Sequence, residues 1–176
     1  MDTAPTHLTR DKITLRQPRK TDGAAVWDLI ASCHPLDENS MYCNLLQCDH
    51  FAETCVVAER DGEVVGWVSG YLKPGDPTTL FVWQVAVSDK ARGEGLGRRM
   101  LQELLRRDVC AEVRHLQTTI TPDNDASWGL FSSLARRAGG SLEHETHFCR
   151  DRHFAGAHET ERMVTITFPE PLRRAA

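Results

Sequence analysis

The spacing of apolar positions changes several times along the chain, and each change marks an element. Ile13 and Leu15 alternate with polar neighbours across residues 12–16, which predicts a short strand ended by Pro18. Val26, Leu29, Ile30 and Cys33 then fall at i, i+3, i+4 and i+7. That is one face of a helix that Thr21 can cap and Pro35 stops near His34. Beyond the acidic connection Leu36-Asp37-Glu38-Asn39-Ser40, Met41, Leu45 and Cys48 share one side of a second helix over residues 41–50. Residues 53–60 and 63–73 read as two strands joined by the two-residue turn Asp61-Gly62. Pro74-Gly75-Asp76-Pro77 separates them from residues 80–87, a run whose one polar side chain is Gln84 and which predicts a buried strand.

After the turn Ser88-Asp89-Lys90 comes Arg92-Gly93-Glu94-Gly95-Leu96-Gly97, followed by a helix through residue 105 with Leu96, Met100, Leu101, Leu104 and Leu105 at helical spacing. Leu116, Thr118 and Ile120 alternate in a fifth strand. Thr121-Pro122-Asp123-Asn124 opens another helix, with Phe131, Leu134, Ala135 and Ala138 on its apolar face and Gly139-Gly140 at its end. Two last strands, residues 141–148 and 161–168, flank a polar loop. The predicted order is β-α-α-β-β-β-α-β-α-β-β.

The glycine-rich stretch has a specific physical use. Without Cβ atoms at residues 93, 95 and 97, backbone N–H groups can close on an anion. The first turn of the following helix adds unpaired donors and the positive end of its dipole, so a pyrophosphate is the natural occupant. A P-loop is excluded, since no Gly-Lys-Ser/Thr follows, and the glycine spacing is not that of a dinucleotide fold.

A long buried strand followed by Arg92-x-x-Gly95-x-Gly97 resembles the acetyl-CoA signature of the GCN5-related N-acetyltransferases. The hairpin around Asp61-Gly62, with Gly66 in its second arm, resembles the same family. The resemblance implies the α/β acyl-CoA N-acyltransferase fold with a mixed sheet. It also implies acetyl-CoA as co-substrate and no metal. In such a fold Val85, Ala86 and Val87 form the strand end that meets the pantetheine arm, through the backbone of Val85 and Val87. The amides of Arg92, Gly93, Glu94, Gly95, Leu96, Gly97 and Arg98 surround the pyrophosphate. Asn124 and Ser127, in Asn124-x-x-Ser127-x-x-Leu130, complete the cofactor side; Asn124 equally suits a helix N-cap. Many relatives carry a tyrosine seven residues after that asparagine to protonate the leaving thiolate, and here the position is Phe131. A thiol is only weakly basic, so the thiolate can leave without such an acid.

Amine acetylation needs a group that removes a proton from the ammonium, and a backbone N–H beside the central strand to polarise the thioester oxygen. Asp37, Glu38, His158, Glu159 and Glu161 are the candidates for the proton. Trp83 suits either core or site, and Gln84 within an apolar run must find a hydrogen-bond partner, a ligand being one option. Four further stretches resemble one branch of the family, which acetylates the 4-amino group of L-2,4-diaminobutyrate in ectoine biosynthesis. They are residues 36–45, 80–87, 119–128 and His153-Phe154-x-Gly156-x-His158-Glu159-x-Glu161. That branch implies Asp37 and Glu161 gripping the amines, Trp83 walling the aliphatic chain, Tyr42 and Gln84 adding hydrogen bonds, and Glu161 or His158 taking the proton. Arg150 and Arg152 suit the acceptor's carboxylate and equally suit a solvated loop. Acetylation of a protein terminus or polyamine, and a non-catalytic acyl-CoA-binding module, are the competing readings. The loop over residues 153–161 reads as a cover rather than an open peptide groove, and the acidic candidates argue for catalysis.

Composition narrows the partners. The 176 residues suit a leader over 1–11, one N-acetyltransferase domain over 12–168 and a tail over 169–176. A net charge of −4 offers no basic field for nucleic acid or an anionic membrane. Residues 1–7 lack the hydrophobic run of a signal peptide, and a cytoplasmic homodimer is expected, the dimer by family resemblance. Six cysteines at irregular spacings read as small buried hydrophobes, and the histidines as surface residues without metal-ligand spacing.

Overall fold

The computed structural model describes residues 12–34 and 36–170. Strand β1 (Thr14–Arg16) leads into α1 (Gly23–Ser32) and α2 (Met41–His50), then β2 (Val56–Arg60), β3 (Glu63–Lys73) and β4 (Asp76–Val87). Helix α3 (Leu96–Leu105), β5 (His115–Ile120), α4 (Asp125–Arg137), β6 (Ser141–Phe148), the one-turn helix α5 (Arg150–His153) and β7 (Glu161–Thr167) follow. The strands form one mixed sheet in the order β1-β2-β3-β4-β5-β7-β6. Every pairing is antiparallel except that of β4 with β5. Asp61 and Gly62, both at positive φ (53° and 79°), close the β2–β3 hairpin as the sequence predicts. Helices α3 and α4 cover one face through a core containing Met100, Leu104, Phe131 and Leu134. Helix α1 covers the other through Val26, Leu29, Ile30 and Trp67.

Strand β4 changes sides partway along. Gly70 of β3 faces Val82 and Ser69 faces Gln84, so Trp83 is an extra residue in β4, a β-bulge. Before it, Leu80 and Val82 point into the α3/α4 core; after it, Val85 and Val87 do, and Ala86 joins the α1 core. One inserted residue inverts the pleat. Trp83 itself is turned out, 48 % exposed, and is not core.

Other departures are local. Thr21 does not cap α1. A 3-10 turn at Lys20–Asp22 precedes it, and Asp22 takes the Arg19 N–H at 2.6 Å and the Arg16 guanidinium at 2.8 and 2.9 Å. Helix α2 begins where expected, with Ser40 accepting the Cys43 N–H, but it buries Asn44, Gln47 and Cys48 and turns Met41 and Leu45 outward. Within this buried polar pair the Asn44 amide donates to Gln47 Oε1 at 3.1 Å, while Asn44 Oδ1 and Gln47 Nε2 have no hydrogen-bond partner among the described residues. Strand β2 starts only at Val56, after a 3-10 turn, and β4 starts at Asp76, earlier than the apolar run suggested. Cys33, Cys48, Cys55 and Cys110 are buried free thiols, while Cys43 and Cys149 are half-buried. Burial pushes the Cys48 and Cys55 thiols up to about 12 and Cys110 to about 11, which keeps them unreactive. The predicted leader, the Pro35 helix stop and residues 171–176 of the tail lie outside the described residues.

Candidate active site

Parallel pairing of β4 with β5 is confined to Thr79–Phe81 against residues 115–117. Past Phe81 the two strands part, and a cleft of about 830 Å³ opens between them. Val82, Trp83, Gln84 and Val85 form one wall. Residues 118–121 and the start of α4 form a second, and the far end is closed by Leu36, Asp37, Asn39 and residues 156–159 together with Glu161. The bulge lies on this wall and adds local twist, which helps β4 turn away from its neighbour.

At the far end two connections meet across the cleft. His158 Nε2 lies 3.2 Å from Asp37 Oδ2 and 3.9 Å from Glu161 Oε1. Its Nδ1 lies 2.8 Å from the Glu159 carbonyl oxygen. A carbonyl only accepts, so Nδ1 carries the hydrogen and Nε2 faces the two carboxylates. The His158 pKa is accordingly raised, first by the hydrogen bond to that carbonyl and then by the charges of Asp37 and Glu161, against the opposing effect of burial. Glu161 Oε2 is buried without a hydrogen-bond partner among the described residues. A carboxylate oxygen in that position calls for a donor from a ligand.

Gln84 is held by the protein itself. Its amide donates to the Asp37 backbone carbonyl at 2.6 Å and accepts from Asn39 Nδ2 at 3.0 Å. Trp27 Nε1 donates to the Asn39 carbonyl at 3.0 Å. Gln84 therefore fixes the connection that carries Asp37, where the sequence suggested direct contact with substrate. Among the described residues the cleft is lined by five carboxylate residues, Asp37, Asp123, Asp125, Glu159 and Glu161, and by no lysine or arginine. It is built for cations.

At the other end, Gly93 and Gly95 take positive φ (79° and 67°), and Gly95 is the N-cap of α3. The Arg99 N–H to Gly95 carbonyl bond, at 3.1 Å, is the first rung of the helix, so the amides of Leu96, Gly97 and Arg98 have no partner within it. The side chains are turned away: Arg60 grips Glu94 at 2.8 and 2.9 Å, Arg92 pairs with Asp89 at 2.8 Å, and Leu96 is buried. What remains is backbone donors and a helix dipole, a donor set that fits a pyrophosphate. A Cβ on Gly97 would lie 3.5 Å from Val85, so the loop abuts the end of β4. Asn124 Oδ1 accepts the Ser127 N–H at 3.0 Å, the N-cap geometry, and both residues also line the cleft. Phe131 lines it too, buried and without a proton to give.

Of the predicted acceptor-side residues, Asp37, Trp83, Gln84, His158, Glu159 and Glu161 come together. Glu38 and Tyr42 do not line the cleft. The α2 phase set by Ser40 turns Tyr42 outward, 69 % exposed. Sequence reasoning missed Asn39 and Thr119. Thr119 was legible as the off-phase position of the Leu116, Thr118, Ile120 alternation; Asn39 carried no signal beyond its acidic neighbours. Among the described residues no group of three His, Cys, Asp or Glu gathers as metal ligands.

A strand parting from its parallel neighbour, a glycine turn opening a helix, and an acidic cleft between them define an acyl-CoA-dependent N-acyltransferase. The chain belongs to the acetyltransferase (GNAT) family, whose profile matches residues 23–135. It is 53 % identical, over 88 % of its length and 90 % of the relative's, to the L-2,4-diaminobutyric acid acetyltransferase of Methylotuvimicrobium alcaliphilum. It is 46 % identical to that of Vibrio parahaemolyticus over 88 % and 86 % of the two chains. Among solved structures it is similar, with a TM-score of 0.86 and 37 % identity, to the diaminobutyrate acetyltransferase EctA from Paenibacillus lautus in complex with L-2,4-diaminobutyric acid and coenzyme A. That match covers 89 % of this chain and 95 % of the other.

Proposed function

We infer that this chain transfers the acetyl group of acetyl-CoA to the 4-amino group of L-2,4-diaminobutyrate, giving N4-acetyl-L-2,4-diaminobutyrate and CoA in ectoine biosynthesis. The observation that carries the acceptor class is the cleft's lining, among the described residues, of five carboxylate residues without lysine or arginine, ending at a Glu161 oxygen that has no partner among them. A short diamine is a cation that such a lining attracts and orients. Asp37 and Glu161 grip the ammonium groups and Trp83 walls the methylene chain. Glu161, with His158 beside it, takes the proton that frees the attacking lone pair. The amine nitrogen then bonds to the thioester carbon, whose oxygen charge is met by backbone N–H at the β4 bulge, and the C–S bond breaks, the surplus proton on the nitrogen passing to the departed sulfur. The thiolate leaves without a protein acid, since Phe131 has none to offer.

The working unit in this reading is one N-acetyltransferase domain over 12–168, assembled as a cytoplasmic homodimer. The exposed apolar side chains Met41, Tyr42, Leu45 and Phe51, on and just after α2, support the dimer. Free buried cysteines suit a reducing compartment, and no helix among the described residues is long and apolar enough to cross a membrane.

The test is to incubate purified protein with acetyl-CoA and L-2,4-diaminobutyrate, follow CoA thiol release and identify the product by NMR. The N4-acetyl product is expected, with little turnover of lysine or spermidine; release of CoA with another amine but not this one overturns the acceptor. Glu161→Gln is expected to lower kcat by about 100-fold. Asp37→Asn is expected chiefly to raise KM for the diamine. Wild-type kinetics in both variants would remove these residues from the mechanism.

A further inference from the structure

We propose that Arg152 is the cation that clamps the acceptor's carboxylate and so selects the 4-amine over the 2-amine, an inference that rests on the diaminobutyrate reading above. The acceptor carries two ammonium groups and one carboxylate. The main cleft suits the first two and repels the third: among the described residues its charged lining is carboxylate with His158 as the one cationic group. Two of the backbone amides of its cover are already committed. Gly156 N–H already donates to the Arg150 carbonyl and Ala157 N–H to the Phe154 carbonyl, both at 2.9 Å.

Beyond Glu161 lies a second cavity of about 510 Å³, which shares Thr119 and Glu161 with the cleft and is otherwise lined by Phe148, Arg152, His153 and Phe154. Glu161 thus stands at the junction of an acidic space and one that holds a guanidinium. The Arg152 side chain has no ion pair or hydrogen bond among the described residues, yet its backbone is well held. Cys149 N–H donates to His153 Nδ1 at 2.7 Å, and Arg150 N–H donates to Thr160 Oγ1 at 3.1 Å. The Phe148 ring packs edge-on against His153 and Phe154 at 5.8 and 6.1 Å between centroids. Neighbouring Arg150 is different: it pairs with Glu159 and lines neither cavity.

The acceptor's length matches this division. Four bonds of about 1.5 Å separate its carboxylate carbon from N4, a span of roughly 5 Å. An amine at Glu161 on the cleft side therefore leaves the carboxylate within reach of the far cavity. Clamped there, the 2-amine, one carbon from the carboxylate, is held back while the 4-amine reaches forward. A planar guanidinium binds a carboxylate bidentately and fixes its direction as well as its place.

The discriminating probe is 1,3-diaminopropane, the same diamine without the carboxylate, read as a substrate or, where it is not turned over, as a competitive inhibitor. Arg152→Gln is expected to raise KM for L-2,4-diaminobutyrate by about 10- to 100-fold, with kcat changed far less. It should leave the constants for 1,3-diaminopropane unchanged and release a measurable N2-acetyl product by NMR. Arg152→Lys should recover part of the loss, and Arg150→Gln should keep the wild-type preference. An unchanged KM for diaminobutyrate in Arg152→Gln, or an equal loss for both amines, overturns the clamp. Failure of the wild-type protein to acetylate diaminobutyrate at all would instead overturn the functional reading.

Discussion

His158 gathers the site's charge into one residue. Its Nδ1 is committed to the Glu159 carbonyl, and its Nε2 sits between Asp37 and Glu161, so the imidazolium is favoured and the folded pKa lies above the ordinary 6.5. The sign follows. The bridge between the two connections is complete below about pH 6.5 and is lost as pH rises through the higher folded value. An NMR titration of the His158 ring should give a midpoint above 6.5, and Asp37→Asn should lower it; a midpoint indifferent to Asp37 would mean the bridge is absent in solution. At this scale the sequence was informative where a residue's chemistry has few uses. Side-chain chemistry limited the deprotonating group to a carboxylate or an imidazole, and family resemblance, not chemistry, narrowed the many such residues to a set containing Asp37, His158 and Glu161. Gln84 did not yield its role, because an amide needs a partner and only the fold says that the partner is the connection carrying Asp37.

Elements are where helix phase and strand pleat are decided, and both contain one surprise. The apolar spacing of residues 41–50 predicted Met41 and Leu45 as the buried side of α2, whereas the helix buries Asn44 and Gln47, which bond to each other. Periodicity reports that a helix has an apolar side, not that its own chain covers it. Along β4, an apolar run broken only by Gln84 hides the bulge at Trp83, since it shows no alternation for an inserted residue to interrupt. The glycine loop, by contrast, was legible because positive φ is nearly a glycine property. Gly95 at φ 67° caps α3, so Gly95→Ala should cost about 1–2 kcal/mol and raise KM for acetyl-CoA. That cost corresponds to a Tm lower by about 2–8 °C. Gly129 is helical with open space around its Cβ position, and Gly129→Ala should raise Tm instead. Thermal unfolding of the two variants side by side checks both signs.

Across the whole molecule, the Arg16 guanidinium ties β1 to the turn before α1 and to β2, pairing with Asp22 at 2.8 Å and with Glu59 at 2.8 Å. Arg16 holds the Asp22 carboxyl below the usual carboxylate range, the Arg19 N–H adding to the effect against burial. A depressed folded pKa means stability that is present above about pH 4 and lost as pH falls through the folded value. Asp22→Asn should therefore lower stability at pH 7 by about 1.5–3 kcal/mol and make acid unfolding less steep, read by denaturant titration at several pH values. An unchanged acid limb would show that Asp22 does not carry it. What the sequence determined by itself is the order of the main elements, the position of the glycine turn before α3 and the side-chain types that line the cleft. These are local properties, written in periodicity, glycine placement and side-chain type. What only the tertiary structure decided is the parting of β4 from β5, the side to which Trp83 and Tyr42 turn, and the cavity that Arg152 and Glu161 both line. Those depend on which strands run out of hydrogen-bond partners and on how segments far apart in sequence close over one another. No spacing along a single segment encodes either.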